Sequence, residues 1–130
     1  MFHGQVVSVL AVATEAPGSR TEGDGLEVVS AASARQATEW LQSRRFDLLL
    51  TGTSLPDVSI WEFIRRTRVT WPWVKWVMAG HAISEQQVMT AKMFSAVAIL
   101  EAPARVDELL ELSRHVQRVA AAAVLDRGLK

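Results

Sequence analysis

The sequence predicts an α/β fold with one parallel sheet, and three observations lead there. Short apolar runs alternate with amphipathic segments along the chain. The runs, QVVSVLAVA and FDLLLT among them, are nearly continuous in apolar residues, as expected of strands covered on both faces. A chain of 130 residues suffices for one core, so residues 1–130 are expected to form a single domain. Strands and helices alternating at this length wind into one sheet through right-handed crossovers.

The elements follow in order. Gln5 to Ala13 reads as the first strand. TEAPGSRTEGDG, residues 14 to 25, carries Pro and three Gly among polar residues and reads as a loop. LEVVSA is a short second strand. Ser33 with Gln36 forms a capping-box pattern that opens a helix with Ala37, Trp40 and Leu41 on one face, ending near Arg45. Phe46 to Thr51 is the third strand. Ser59 with Glu62 is a second box, opening a helix that buries Ile60, Phe63 and Ile64 and stops at Trp71-Pro72-Trp73. VKWVMAG gives the fourth strand. Ser84 with Gln87 opens the next helix, with Ile83 and Val88 placed as a hydrophobic staple. AVAIL is the fifth strand, and from Arg105 a longer helix places Val106, Leu109, Leu110, Ser113, Val116 and Ala120 at helical spacing.

Composition narrows the function classes. Fourteen Lys and Arg balance fourteen Asp and Glu, so no overall field draws the protein to nucleic acid or anionic lipid. The absence of cysteine excludes disulfides and thiolate chemistry and suits a cytoplasmic setting. Ala11-Val12-Ala13 imitates a signal-cleavage site, but Met1 to Gln5 holds no Lys or Arg, so the segment reads as a strand. No apolar run approaches the ~18 residues needed to span a bilayer.

In a sheet of this kind ligands sit beyond the carboxyl ends of the strands. Those ends read Ala13-Thr14-Glu15, Thr51-Gly52-Thr53, Ala79-Gly80-His81 and Glu101-Ala102-Pro103. With FDLLLTGTSLPDVSIWEFIRR and its Leu55-Pro56-Asp57, MFSAVAIL before the fifth strand, and Pro103 before RVDELL, the chain resembles the receiver domain of bacterial response regulators. The match covers most of the chain, with a gap near residues 14 to 25. The resemblance implies a flavodoxin-like three-layer sandwich, a five-stranded parallel sheet of order 2-1-3-4-5, and a first helix that is shortened or missing. The first and last helices of such a fold cover one face, so that face is expected to be partly bare, awaiting the final helix, a second copy or a partner.

The resemblance also implies a site. Receivers take phosphate on an aspartate four residues before the Leu-Pro proline, beside an acidic pair that holds magnesium, a hydroxyl after the fourth strand and a lysine before the last-strand proline. Carried onto this chain, the acceptor position is Gly52, the acidic pair Ala13 and Thr14, the hydroxyl Ala79 or Gly80, and the lysine Ala102. The aromatic switch position is Ile99. None of these groups is kept, so the resemblance points to a pseudo-receiver without phosphotransfer, cofactor or metal. Glu15 and Asp57 would stand near the emptied pocket, but a hard cation wants more oxygens. Solvated loop acids are the simpler reading.

Other features weigh less. Trp76 reads as core; Trp61 and Trp71 are open between core and interface, with Trp61 off the apolar stripe beside Arg65; Trp73 with Trp71 lies at the strand entry. His81 beside the pocket has no second ligand at metal spacing, and neither His3 nor His115 joins it. The glycines of GSRTEGDG form no phosphate-binding motif, Arg65, Arg66 and Arg68 read as a solvated face, and Ser54 lacks the nucleophile-elbow context. The expectation is a bacterial, non-enzymatic signalling or scaffold module with protein partners or a homodimer, contacting neither nucleic acid nor membrane. By resemblance the contact face includes Gln87, Lys92, Ile99, Arg105, Glu108 and Arg114. Two alternatives stay open: a small-molecule sensor using the pocket around Gly52, Gly80 and Ala102, and an enzyme with a site at Glu15, Asp57 and His81.

Overall fold

The computed structural model of the chain describes residues 6–19 and 25–114. The elements are β1 (Val6–Val12), β2 (Gly25–Ala31), α1 (Ala34–Ser43), β3 (Leu48–Thr51), α2 (Ile60–Thr70), β4 (Lys75–Gly80), α3 (Glu85–Met93) and β5 (Ala98–Glu101). A further helix, α4, begins at residue 106 and runs through 114. All five strands are parallel in the order β2-β1-β3-β4-β5, the flavodoxin-like arrangement. Residues 13–19, between β1 and β2, form neither helix nor strand. Val116, Ala120, His3 and His115 lie outside the described residues.

Alternate side chains of the strands feed two cores. Leu10, Val12, Leu49, Trp76 and Met78 pack under α1, α2 and α3 with Ala37, Leu41, Phe63, Ile64 and Ala91. Val7, Val9, Ala11, Leu26, Leu48, Leu50, Val77 and Ala79 pack on the other face with Leu109 and Leu110 of α4. Of the covers expected for that face, the final helix supplies one, and the strand residues beneath are closed off: Val9 and Leu26 are 0% exposed and Val7 is 6% exposed. Ala16 of the loop and Val106 and Leu112 of α4 pack against the same cluster, so a loop and α4 share the work of a missing helix.

Helix starts follow the capping signals with one failure. Ser84 and Gln87 close a full reciprocal box. Ser33 accepts from the Gln36 N–H, while the Gln36 side chain accepts from Ala32 N–H, one residue upstream. At α2 the box does not close: Ser59 accepts from Trp61 N–H, and the Glu62 carboxylate is taken by Arg65 and Arg66 on the same helix. Those two guanidiniums, Arg65 first, hold the Glu62 carboxyl below its usual range.

One tryptophan departs from its expected place, and another, left open by the sequence, resolves to a packed one. Trp40 belongs to the apolar face of α1 by spacing, yet it is 39% exposed. Trp61, off the stripe of α2, stacks on Phe94 with centroids 5.4 Å apart and meets Trp76 edge-on at 6.3 Å. Trp76 is core, and its indole N–H donates to the Phe94 carbonyl at 2.8 Å. At the opposite end of the sheet Arg44 pairs with Glu27, reaches Ser8 Oγ and lies over the Phe46 ring, tying the end of α1 to β2, β1 and the entry to β3.

Candidate functional site: an emptied strand-end cavity

The parallel register sets Val12, Thr51, Met78 and Ile99 side by side as the last aligned rung across β1, β3, β4 and β5. One or two residues further on, the chain leaves each strand. The ladder persists into these exits: Ala13 N–H donates to Ala31 O at 2.8 Å, Gly52 N–H to Val12 O at 3.1 Å, and Ala102 N–H to Gly80 O at 3.0 Å. The exits therefore converge on a rigid frame. Between them lies a cavity of ≈ 250 Å³ lined by backbone and small side chains of Ala13, Gly52, Ala79, Gly80 and Ala102, with Thr14, Glu15, Thr53, Ser54 and His81 at its polar parts.

Two details of backbone shape the cavity. Ala13 has φ of 52°, the left-handed region that an alanine enters at a cost of roughly 1–2 kcal/mol. This turn aims its carbonyl at Gly52: a Cβ built on Gly52 would stand 2.5 Å from Ala13 O. Glycine is the residue that fits there, because any side chain must displace backbone. Gly80 is tight for a softer reason, since its Cβ would meet the Thr53 methyl at 2.7 Å and Ile83 at 3.1 Å.

The chemistry available is limited. Glu15 and His81 are the ionisable side chains lining the cavity, and Thr14, Thr53 and Ser54 supply hydroxyls. Among the described residues no three His, Asp or Glu side chains gather as a metal-ligand group. Glu15 is the lone carboxylate of the lining, too few oxygens for a protein-built calcium site and the least that magnesium, which keeps several waters, is held by.

Eight of the residues expected around the pocket line this cavity: Ala13, Thr14, Glu15, Gly52, Ala79, Gly80, His81 and Ala102. Asp57 does not. Its carboxylate accepts from the backbone N–H groups of Ala34 and Arg35, both at 3.0 Å, and so caps α1 from the β3–α2 loop. These bonds, that from Ala34 foremost, hold the Asp57 carboxyl below its usual range. The Leu-Pro-Asp turn aims Asp57 sideways at a helix start, whose unpaired N–H groups and positive dipole end favour an anion. Thr53 and Ser54, which sequence reasoning left out of the pocket, enter it where the chain bends just beyond Gly52; their place directly after the strand end was the available signal.

On the expected contact face, Gln87 and Glu108 are engaged in closing helix starts, the latter accepting from Arg105 N–H at 3.0 Å. Arg105 also pairs with Asp107 and Glu108, and Arg114 with Glu111. Lys92 is exposed, and Ile99 is half-buried against the core. Met89 and Met93 on α3 add exposed apolar surface that the sequence reading did not single out.

A family model described as the response regulator receiver domain matches residues 13–114. No curated protein matches the chain. Among solved structures, the chain is similar to NtrX from Brucella abortus in complex with ADP, at 17% identity and a TM-score of 0.72, covering 97% of this chain. The chain spans 30% of that NtrX chain. It is also similar to the CheY-like receiver domain protein from Methanospirillum hungatei (20% identity, TM-score 0.66, 85% of this chain and 93% of that one). A third is the chemotaxis response regulator CheY4 of Vibrio cholerae (22%, TM-score 0.62, 88% and 99%).

Proposed function

The chain belongs to the response regulator receiver domain family, and from that premise we propose that it is a phosphorylation-independent signalling module, a pseudo-receiver acting through protein contacts. One observation carries the reading: at the position corresponding to the phosphoacceptor stands Gly52, and the Ala13 carbonyl lies where a side chain would begin. The lining offers Glu15 as its lone carboxylate and no Lys or Arg, so neither a cation nor phosphoryl charge is neutralised there. Family members are signalling modules, and on this reading the chain catalyses no reaction, works in the cytoplasm as one receiver-like domain, and needs no cofactor. No helix among the described residues is long and apolar enough to cross a membrane. The contact face runs over α3, β5 and α4, with Lys92, Met89 and Met93 exposed on it.

The test is a titration with magnesium and then beryllofluoride, a phosphoryl mimic, followed through the amides of residues 50–57 and 79–82. Unchanged spectra are expected; saturable shifts would overturn the reading. A second reading, a small-molecule sensor, is favoured by the cavity of ≈ 250 Å³ that small residues leave open. Saturable shifts of the same amides on adding a metabolite without magnesium would select it.

A further inference from the structure

Unpaired charge and exposed apolar surface are sorted along the strand direction. Glu15 follows β1, Glu85 opens α3 and Glu101 closes β5, all at the cavity end, and none has a hydrogen bond or ion pair among the described residues. Arg45 precedes β3, Arg68 lies in the last turn of α2, Lys75 opens β4 and Lys92 lies in the last turn of α3, all at the opposite, basal end. None of these cations has a carboxylate partner among the described residues; Arg45 rests on the Trp73 ring at 4.9 Å. Among the described residues the basal carboxylates Glu27 and Asp47 are occupied, by Arg44 and by the Ser8 N–H.

The same basal end exposes Val6 (61%), Val69 (76%), Trp73 (45%) and Met93 (79%). Helix dipoles explain Glu85, Arg68 and Lys92, since acids favour helix starts and bases helix ends. They do not explain Glu15, Glu101, Arg45 or Lys75, which stand outside helices, nor apolar side chains left in water at about 25 cal/mol per Å². Trp, Met and Arg side by side are the composition of an interface core.

We infer that copies of this chain associate head to tail, the basal end of one docking on the cavity end of the next. Charge complementarity selects this occupant. Two basal ends face to face would set cations against cations, whereas the cavity end supplies the acids, with exposed Pro56, Ala82 and Pro103 as apolar counterparts. An anionic bilayer fits less well, because the negative ends of α1, α2 and α3 point to the same surface and the chain has no net charge. The contact is heterologous: the surfaces that meet differ, and each copy keeps one of each free to continue the stack. This assignment rests on the reading of the chain as a contact module and names its partner as a second copy.

Sedimentation velocity of the purified chain tests it, alone and with two charge-reversed variants, Arg45→Glu/Lys75→Glu and Glu85→Lys/Glu101→Lys. All four positions are exposed, and melting curves confirm that each variant is folded. The wild type is expected to associate with rising concentration and to dissociate at about 1 M salt, where the screening length falls to about 3 Å. Each variant alone should associate at least about tenfold more weakly. An equimolar mixture of the two should associate again, because each then finds a complementary end. A wild type that stays monomeric, reversals without effect, or a mixture that stays dissociated each overturns the stack. Shifts of the Arg45 and Trp73 signals on adding polyglutamate or anionic vesicles to a monomeric wild type would also overturn it, assigning the basal end to a foreign acidic partner. The beryllofluoride titration is independent, so failure of the stack and failure of the pseudo-receiver reading are distinguishable.

Discussion

The carbonyl oxygen of Ala13 stands where Gly52 leaves no room for a side chain: a Cβ there would be 2.5 Å from it. The left-handed turn at Ala13 and the glycine at 52 are thus one feature. Gly52→Ala is expected to destabilise the fold by roughly 1–3 kcal/mol. Gly18→Ala is the control, with nothing within 4 Å of the added methyl, and should change little. Gly52→Asp should be destabilised in the same way and take no label from a phosphoryl donor such as acetyl phosphate. Urea unfolding and phosphate incorporation check both.

Asp57 gives a pH signature. Its folded-state carboxyl is held below the usual range, mainly by the Ala34 N–H, so its contribution is fully present above the ordinary carboxylate pKa and is lost as pH falls through the depressed one. Asp57→Asn should melt at a lower temperature than wild type at neutral pH, and the gap should close in acid. Thermal melts across that range are the measurement. A gap that persists unchanged in acid would mean that the charge does not act at the cap.

The Trp61, Trp76 and Phe94 cluster predicts an ordering. Trp76→Phe keeps a ring in the core and removes the donor to the Phe94 carbonyl, and should cost roughly 1–2 kcal/mol. Trp76→Ala also opens a cavity and should cost about 3–5 kcal/mol. Trp61→Ala forfeits the stack on Phe94 and the edge contact with Trp76, worth about 0.5–1.5 kcal/mol for each aromatic pair beyond the area buried. Urea unfolding followed by far-UV circular dichroism ranks the three without relying on the indoles removed.

The strands, their order and most of the cavity lining were readable in the sequence, because continuous apolar runs fix buried strands and parallel winding brings their carboxyl ends together. What escaped reading depended on neighbours from distant segments. Asp57 caps a helix 22 and 23 residues upstream, a relation no local periodicity contains. Trp40 is part-exposed against expectation, and Trp61, left open, is packed, because helical spacing gives an angle around the helix and not what lies opposite it; Phe94, from another helix end, is what receives Trp61. Glu62 abandoned its capping role because Arg65 and Arg66 compete from one turn away. The face left open by the short first helix is covered by α4, one of the covers expected, and by Ala16 of the loop, whose share the composition of residues 14–25 did not reveal.

The link between β1 and β2, which forms no helix over residues 13–19, has a consequence for tolerance to change. It joins Val12 to Gly25, which lies opposite Val6, and so must carry the chain back along six residue steps, about 20 Å at 3.3 Å per residue. Its twelve residues reach about 40 Å when fully extended. Length is therefore a constraint on the tether beside the packing of Ala16: shortening it by about half would leave β2 unable to lie parallel to β1 at all.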